Sequence, residues 1–198
     1  MSVITSLRAA FVALAALSLA ACGINSVPEK EEVAKAKWAD VQNAYQRRAD
    51  LIPNLVSTVR GAAASEQQIL TDVTQARADA TRITVSDAQL TDPAAMARFA
   101  EAQSRLTLTL QRLQEAYPEL RSQANFSTLM SQLEGTENRV AIAIRDYNAA
   151  VQSYNTTIRT FPSVIGAKVI YGSQPMVPYQ AVTPGAETAP QVNFGNRQ

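Results

Sequence analysis

Residues 125–161, NFSTLMSQLEGTENRVAIAIRDYNAAVQSYNTTIRTF, decide the fold, because their larger side chains recur at Phe126, Met130, Leu133, Glu137, Val140, Ile144, Tyr147, Val151, Tyr154, Ile158 and Phe161. The intervals alternate between four and three without a break. A helix returns to the same side about every 3.6 residues, so this spacing draws one stripe along a helix, and a strict seven-residue repeat suits left-handed packing against neighbouring helices. Phe161-Pro162 ends the helix, since proline cannot continue the hydrogen-bond ladder and restricts the residue before it. Asn125 is the expected cap.

Working outward, the preceding stripe is Met96, Phe99, Gln103, Leu106, Leu110, Leu113, Tyr117, Leu120 and Ala124. Residues 84–92 read as a loop that ends with Asp92 as N-cap and Pro93 at the first helical position, and Tyr117-Pro118 should kink or split this helix near its end. The first stripe is longer: Trp38, Val41, Tyr45, Arg48, Ile52, Leu55, Val59, Ala62, Glu66, Ile69, Val73, Ala76, Ala80 and Ile83. It predicts one long helix starting near Pro28, with Ser26 and Glu29 spaced as a capping box. Pro53 lacks the N–H that would bond the carbonyl of residue 49, so a bend is expected there, with Asn54 placed to serve the exposed backbone. Glu29, Glu31 and Glu32 beside Lys30, Lys35 and Lys37 make a solvated face with pairs such as Glu31 to Lys35. No alternation long enough for a strand is found. The fold class is all-α, an antiparallel three- to four-helix bundle with a long, kinked first helix.

The ends differ from the middle. Ala9 to Ala21 is apolar apart from Ser18, follows Arg8, and closes on Leu19-Ala20-Ala21-Cys22. That pattern resembles the site at which bacterial lipoproteins are cut and acylated, and the run is short for a span, which needs about 20 apolar residues. Residues 1–21 are thus read as a lipoprotein signal peptide, Cys22 as the lipidated first residue, 22–28 as a tether and 29–165 as the bundle. Residues 166–198 are read as the remainder, entered by a short apolar segment, Val164 to Tyr171, which folds back or adds a turn. A tail rich in proline and glycine follows from Gly172 and is expected to be extended or disordered.

Composition narrows the chemistry. The chain has 18 basic and 17 acidic residues, and loss of residues 1–21 removes Arg8 alone, leaving a formally neutral protein with no single-sign field to hold nucleic acid. There is no histidine and one cysteine. Disulfides, thiolate metal sites and every serine–histidine or cysteine–histidine arrangement are therefore excluded once Cys22 carries lipid. No catalytic residue, metal ligand or cofactor is assigned, and no enzyme is expected.

Arg48 and Glu137 interrupt otherwise apolar stripes, which is costly unless they are paired. They either meet between the first and third helices or take other partners, such as Glu66, Arg105 or Arg112, or extend their stems to solvent. Tyr147-Asn148 and Tyr154-Asn155 repeat after seven residues, so the tyrosines share one face and the asparagines the next. The tyrosines then fill the core while the asparagines bond neighbouring helices, or together they line a polar-aromatic groove for a peptide or glycan.

The segments Arg47-Arg48-Ala49-Asp50-Leu51-Ile52-Pro53-Asn54, Leu133-Glu134-Gly135-Thr136-Glu137-Asn138-Arg139-Val140, Tyr117-Pro118-Glu119-Leu120, and Tyr147-Asn148 with Tyr154-Asn155 resemble the LemA family of bacterial envelope proteins over roughly residues 29–165. The resemblance implies a helical bundle outside the cytoplasm, held to a membrane by its N-terminus, and implies no activity. Members typically carry an N-terminal transmembrane helix; a lipid on Cys22 would replace it here. A scaffold or adaptor for another envelope protein is the implied role, with Arg47, Asp50, Asn138, Tyr147, Asn148, Tyr154 and Asn155 as the candidate partner or ligand face. The alternative is a binding module for a small ligand or peptide between helices. Gly23 after the acylated position favours the periplasmic face of the outer membrane in a two-membrane source. Stripes this apolar can also be satisfied between copies, as a homo-oligomer.

Overall fold

The computed structural model describes residues 25–62 and 67–181, and these are helical with extended connections and no strand among them. Four long helices carry the fold: α1 (Ser26–Ala62), α2 (Gln67–Arg82), α3 (Pro93–Ala116) and α4 (Ala124–Thr157). Cys22, Glu66 and residues 182–198 lie outside the described residues. No described helix is long and apolar enough to cross a membrane.

Helix α1 lies along α4, and the two run antiparallel: Trp38 meets Tyr147 with ring centroids 5.0 Å apart, while Arg48, further along α1, meets Glu137, further back along α4. Most stripe positions are buried, among them Val41, Ile52 and Val59 on α1, Leu106 and Leu113 on α3, and Val140 and Val151 on α4. Asp92 caps α3 as expected, its carboxylate accepting from the Ala94 amide at 2.8 Å with Pro93 in the first turn. Tyr117-Pro118 separates α3 from a 3₁₀ turn, Pro118–Ser122. On the α1 face, Lys35 pairs with Glu31 at 2.9 Å and with Glu32 at 2.8 Å.

Four expectations need correction. The single first helix spanning Pro28 to Ile83 is two elements: Arg77 Nε donates to the Ala49 carbonyl at 2.8 Å, whereas 28 residues of one continuous helix would separate these residues by roughly 40 Å. The signal for this reversal is Gly61 followed by Ser65-Glu66-Gln67-Gln68, a capping-box pattern. At the N-terminus, Ser26 is already the first helical residue. Asn125 lies inside α4, whose cap position is Gln123, without a side-chain cap bond. Phe161, assigned to the α4 stripe by spacing, is 81% exposed, because α4 stops at Thr157 and the stripe has no helix left to follow.

Beyond α4, α5 (Ser163–Gly166) runs on into a π-helical turn, Ala167–Tyr171. Gly172 ends it in the left-handed region, φ 58°, where a residue with a Cβ is strained. Residues 173–181 then form an extended strap across the bundle, so this part of the tail expected to be extended or disordered is extended and held by the bundle.

Pro53 sits inside α1, and the Ala49 carbonyl it leaves without a helical donor is the one Arg77 reaches. Asn54, expected to serve this backbone, is exposed. Helix α2 is thus tied to α1 at the point where the ladder is broken. Arg77→Met should cost about 1–2 kcal/mol in urea unfolding, the range for a hydrogen bond lost from a partly buried acceptor. In a Pro53→Ala background the helix supplies its own donor, and that cost should shrink by at least half; equal costs in both backgrounds would contradict this account.

Candidate functional site

Arg48 is 1% exposed, and its guanidinium is held by three side chains from two helices besides its own. Nη1 donates to Glu137 Oε1 at 2.7 Å and to Thr107 Oγ1 at 2.9 Å, while Nη2 donates to Gln103 Oε1 at 2.9 Å and to the Gln103 carbonyl at 3.3 Å. Gln103 turns its amide nitrogen to the Ala80 carbonyl at 3.1 Å, which brings α2 into the same layer. The Arg48 guanidinium also stands 4.9 Å from the Tyr45 ring centre, a cation–π distance, and its Nε has no hydrogen-bond partner.

This layer divides the interior. One apolar cluster gathers Trp38, Tyr45, Phe99, Ala100, Val140 and Tyr147; the other gathers Ile52, Leu55, Leu106, Leu110 and Leu133. Along α1, α3 and α4 alike, the residue between the clusters is the polar one: Arg48, Gln103 and Glu137. Gln103 stood in the α3 stripe as its single polar member, and that interruption was the signal of its role. Of the other partners considered for Arg48 and Glu137, Arg105 faces Glu101 at 3.1 Å.

The second constellation is the Tyr–Asn repeat of α4. Asn155 donates to the Met176 carbonyl at 2.8 Å and accepts from the Met176 amide at 2.9 Å; Asn148 does the same with Tyr179, at 2.9 and 2.8 Å. Tyr154 donates to the Gln174 carbonyl at 3.1 Å and Tyr147 to that of Val177 at 2.9 Å. The Val177 amide reaches the Leu90 carbonyl at 2.8 Å, tying the strap to the loop before α3. The spacings explain the match. Seven residues of helix advance about 10.5 Å, and three residues of extended chain advance about 9–10 Å. A heptad of side chains therefore meets every third strap residue, in antiparallel sense. Pro175 and Pro178 bring no N–H that would need a partner.

The first reading of this repeat holds in part: Tyr147 and Tyr154 fill the core, but the asparagines hold the chain's own strap rather than a neighbouring helix. The surface read as a groove for a peptide or glycan is occupied by that strap. At its end Tyr179 shares a 2.7 Å hydrogen bond with Tyr45, next to Arg48. The seven residues proposed as one face thus separate. Tyr147, Asn148, Tyr154 and Asn155 are covered by the strap, while Arg47, Asp50 and Asn138 are exposed. Arg47 lines a shallow groove of about 250 Å³ between α1 and α4 with Arg139 and Thr136; Asp50 accepts from Gln46 at 2.8 Å.

The family model described as the LemA family matches residues 37–194. The chain belongs to the LemA family. The match extends well past residue 165, where the resemblance read from the sequence stopped, and takes in the strap, so the LemA unit includes the segment read as tail. No curated protein matches the chain.

Burial, the largest influence on each, raises the pKa of Tyr45, Tyr147, Tyr154 and Tyr179 above the ordinary tyrosine value, and the contact with Tyr179 raises that of Tyr45 further. A raised folded-state pKa means that stability is fully present below the unfolded value of about 10 and is lost as pH rises above it. The melting temperature should therefore fall above about pH 10, and tyrosinate absorbance at 295 nm from these residues should appear together with unfolding. Complete tyrosine ionisation near pH 10 with the helices intact would contradict their burial.

Removing Glu137 leaves the buried Arg48 charge with only neutral partners. Glu137→Ala should cost about 2 kcal/mol, less than the roughly 3–5 kcal/mol of a fully buried broken pair because the Glu137 side chain is 45% exposed. Arg48→Met combined with Glu137→Leu should recover much of the lost melting temperature. Strictly additive effects of the two single substitutions would show that the contact carries no coupling.

Proposed function

We propose that this LemA-family chain is a non-catalytic adaptor of the bacterial envelope, held to a membrane by acylation of Cys22. In a source with two membranes it stands on the periplasmic face of the outer membrane. The bundle presents its α1/α4 groove to another envelope protein. One observation carries this reading: the groups best suited to a buried ligand site, Arg48 and the Tyr–Asn repeat, are engaged by the chain's own side chains and strap, whereas Arg47 and Arg139 face solvent along one groove. That favours an interaction surface over a binding module between helices. The lack of histidine and of any cysteine besides Cys22 supports the non-catalytic part of the reading.

Photo-crosslinking in living cells tests the adaptor role, with the probe at Arg47 in one strain and Arg139 in another, each beside a Cys22→Ser control. The same dominant envelope protein should be captured from both positions, and only when Cys22 is intact. Capture of different proteins, or of none, would contradict an adaptor that uses this groove.

A further inference from the structure

Large exposed apolar side chains concentrate at one end of the molecule. Phe161 is 81% exposed, Ile165 55%, Val169 78%, Ile170 59% and Tyr171 42%, all within α5, its π turn and the residues leading into them. The other exposed large apolar residues among those described, Val33, Leu108 and Ile142, fall on three different helices and none exceeds 43%. Scattered single residues need no explanation, but a contiguous apolar surface marks a contact.

The place of this surface identifies what covers it. Ser26 Oγ lies 3.2 Å from Ser163 Oγ at the start of α5, and Val27 is fully buried in the same cluster as Ala167. The start of α1 is thus fixed against α5. Cys22 is four Cα-to-Cα steps before Ser26, and at no more than about 3.6 Å each they allow at most about 14 Å between the two Cα atoms. Whatever holds Cys22 in a bilayer brings α5 to the headgroup layer.

We propose that Phe161, Ile165, Val169 and Ile170 form an apolar foot that enters the lipid interface beside the N-terminal attachment. Apolar faces of helices lying on a membrane sink about 5–10 Å into the boundary between headgroups and chains. Arg159 and Lys168, both exposed beside the foot, can reach outward to lipid phosphates along their aliphatic stems. Tyr171 has the apolar ring and polar tip that favour this layer. Lipid and foot together give two points of attachment, which orient the bundle, whereas a tether alone leaves it free to swing. The inference rests on the N-terminal membrane attachment proposed above.

The full chain, purified from membranes and reconstituted into phosphatidylcholine vesicles with brominated acyl chains, provides the test. Tryptophan emission is compared for Val169→Trp, on the foot, and Gln132→Trp, on the exposed surface toward the other end of α4; the native Trp38 is buried and common to both. The added emission at 169 should be blue-shifted and fall by at least half in brominated vesicles, with that at 132 unchanged. Quenching at 169 no greater than at 132 would overturn the foot and assign this face to a protein partner or a second copy. Incorporation of an alkynyl palmitate, compared with Cys22→Ser, reads the anchor separately. Labelled protein without quenching removes the foot and leaves the anchor; quenching without label supports the foot and removes the acyl attachment.

Discussion

Burying the Arg48 guanidinium is the constraint around which the bundle is arranged. An unpaired charge at 1% exposure would be too costly for a fold of marginal stability, so the helices must bring acceptors to it from more than one direction. Glu137 arrives from α4, Thr107 and Gln103 from α3, and Gln103 hands its remaining donor to α2 through Ala80. Each of the three long stripes gives up one apolar position to make this layer. Sliding any of these helices by one heptad would put Arg48 against an apolar layer and strand Gln103 and Glu137 elsewhere, which makes the layer a device for fixing register more than a source of net stability.

Tyr45 links this layer to the strap. Its ring lies beside the guanidinium and its hydroxyl meets that of Tyr179, whose backbone is gripped by Asn148. From there the repeat on α4 continues as a ladder in which two heptad-related asparagines and two heptad-related tyrosines hold an extended segment by its main chain. Recognition through the backbone demands little of the strap's sequence apart from the absence of N–H groups at positions no side chain serves, and the prolines at 175 and 178 meet that demand. The Tyr–Asn face of α4 is thereby closed by a piece of the same chain.

The helices were legible in the sequence because a heptad of Val, Leu, Ile and aromatic residues has only one inexpensive arrangement. Chain reversal was not legible from the same pattern: the spacing of three and four continues from Val59 through Ile69 whether or not the helix does, so α1 and α2 read as one rod. The same blindness placed Phe161 in the core. Arg48 and Glu137 could be singled out as charges in apolar stripes, while Gln103, being neutral, did not stand out although it joins Arg48 to the Ala80 carbonyl of α2. The strap was hidden for a different reason. Its composition is that of a disordered segment, and the groups that order it lie some twenty to thirty residues earlier, where nothing but the match of a helical heptad to an extended triplet connects Asn148 to Tyr179 and Asn155 to Met176.

Membership of the LemA family and the all-helical architecture thus combine with an interior whose polar groups serve the fold itself, and the strap is the element on which this depends most. Hydrogen exchange followed by NMR on the backbone amides of Met176, Val177 and Tyr179 tests it directly. The account predicts that they exchange as slowly as the core amides of Tyr147 and Val151, opening only with the whole bundle. Exchange at rates near those of an unfolded chain, with α4 still protected, would show that the strap is loosely held and that the Tyr–Asn face is open to other ligands.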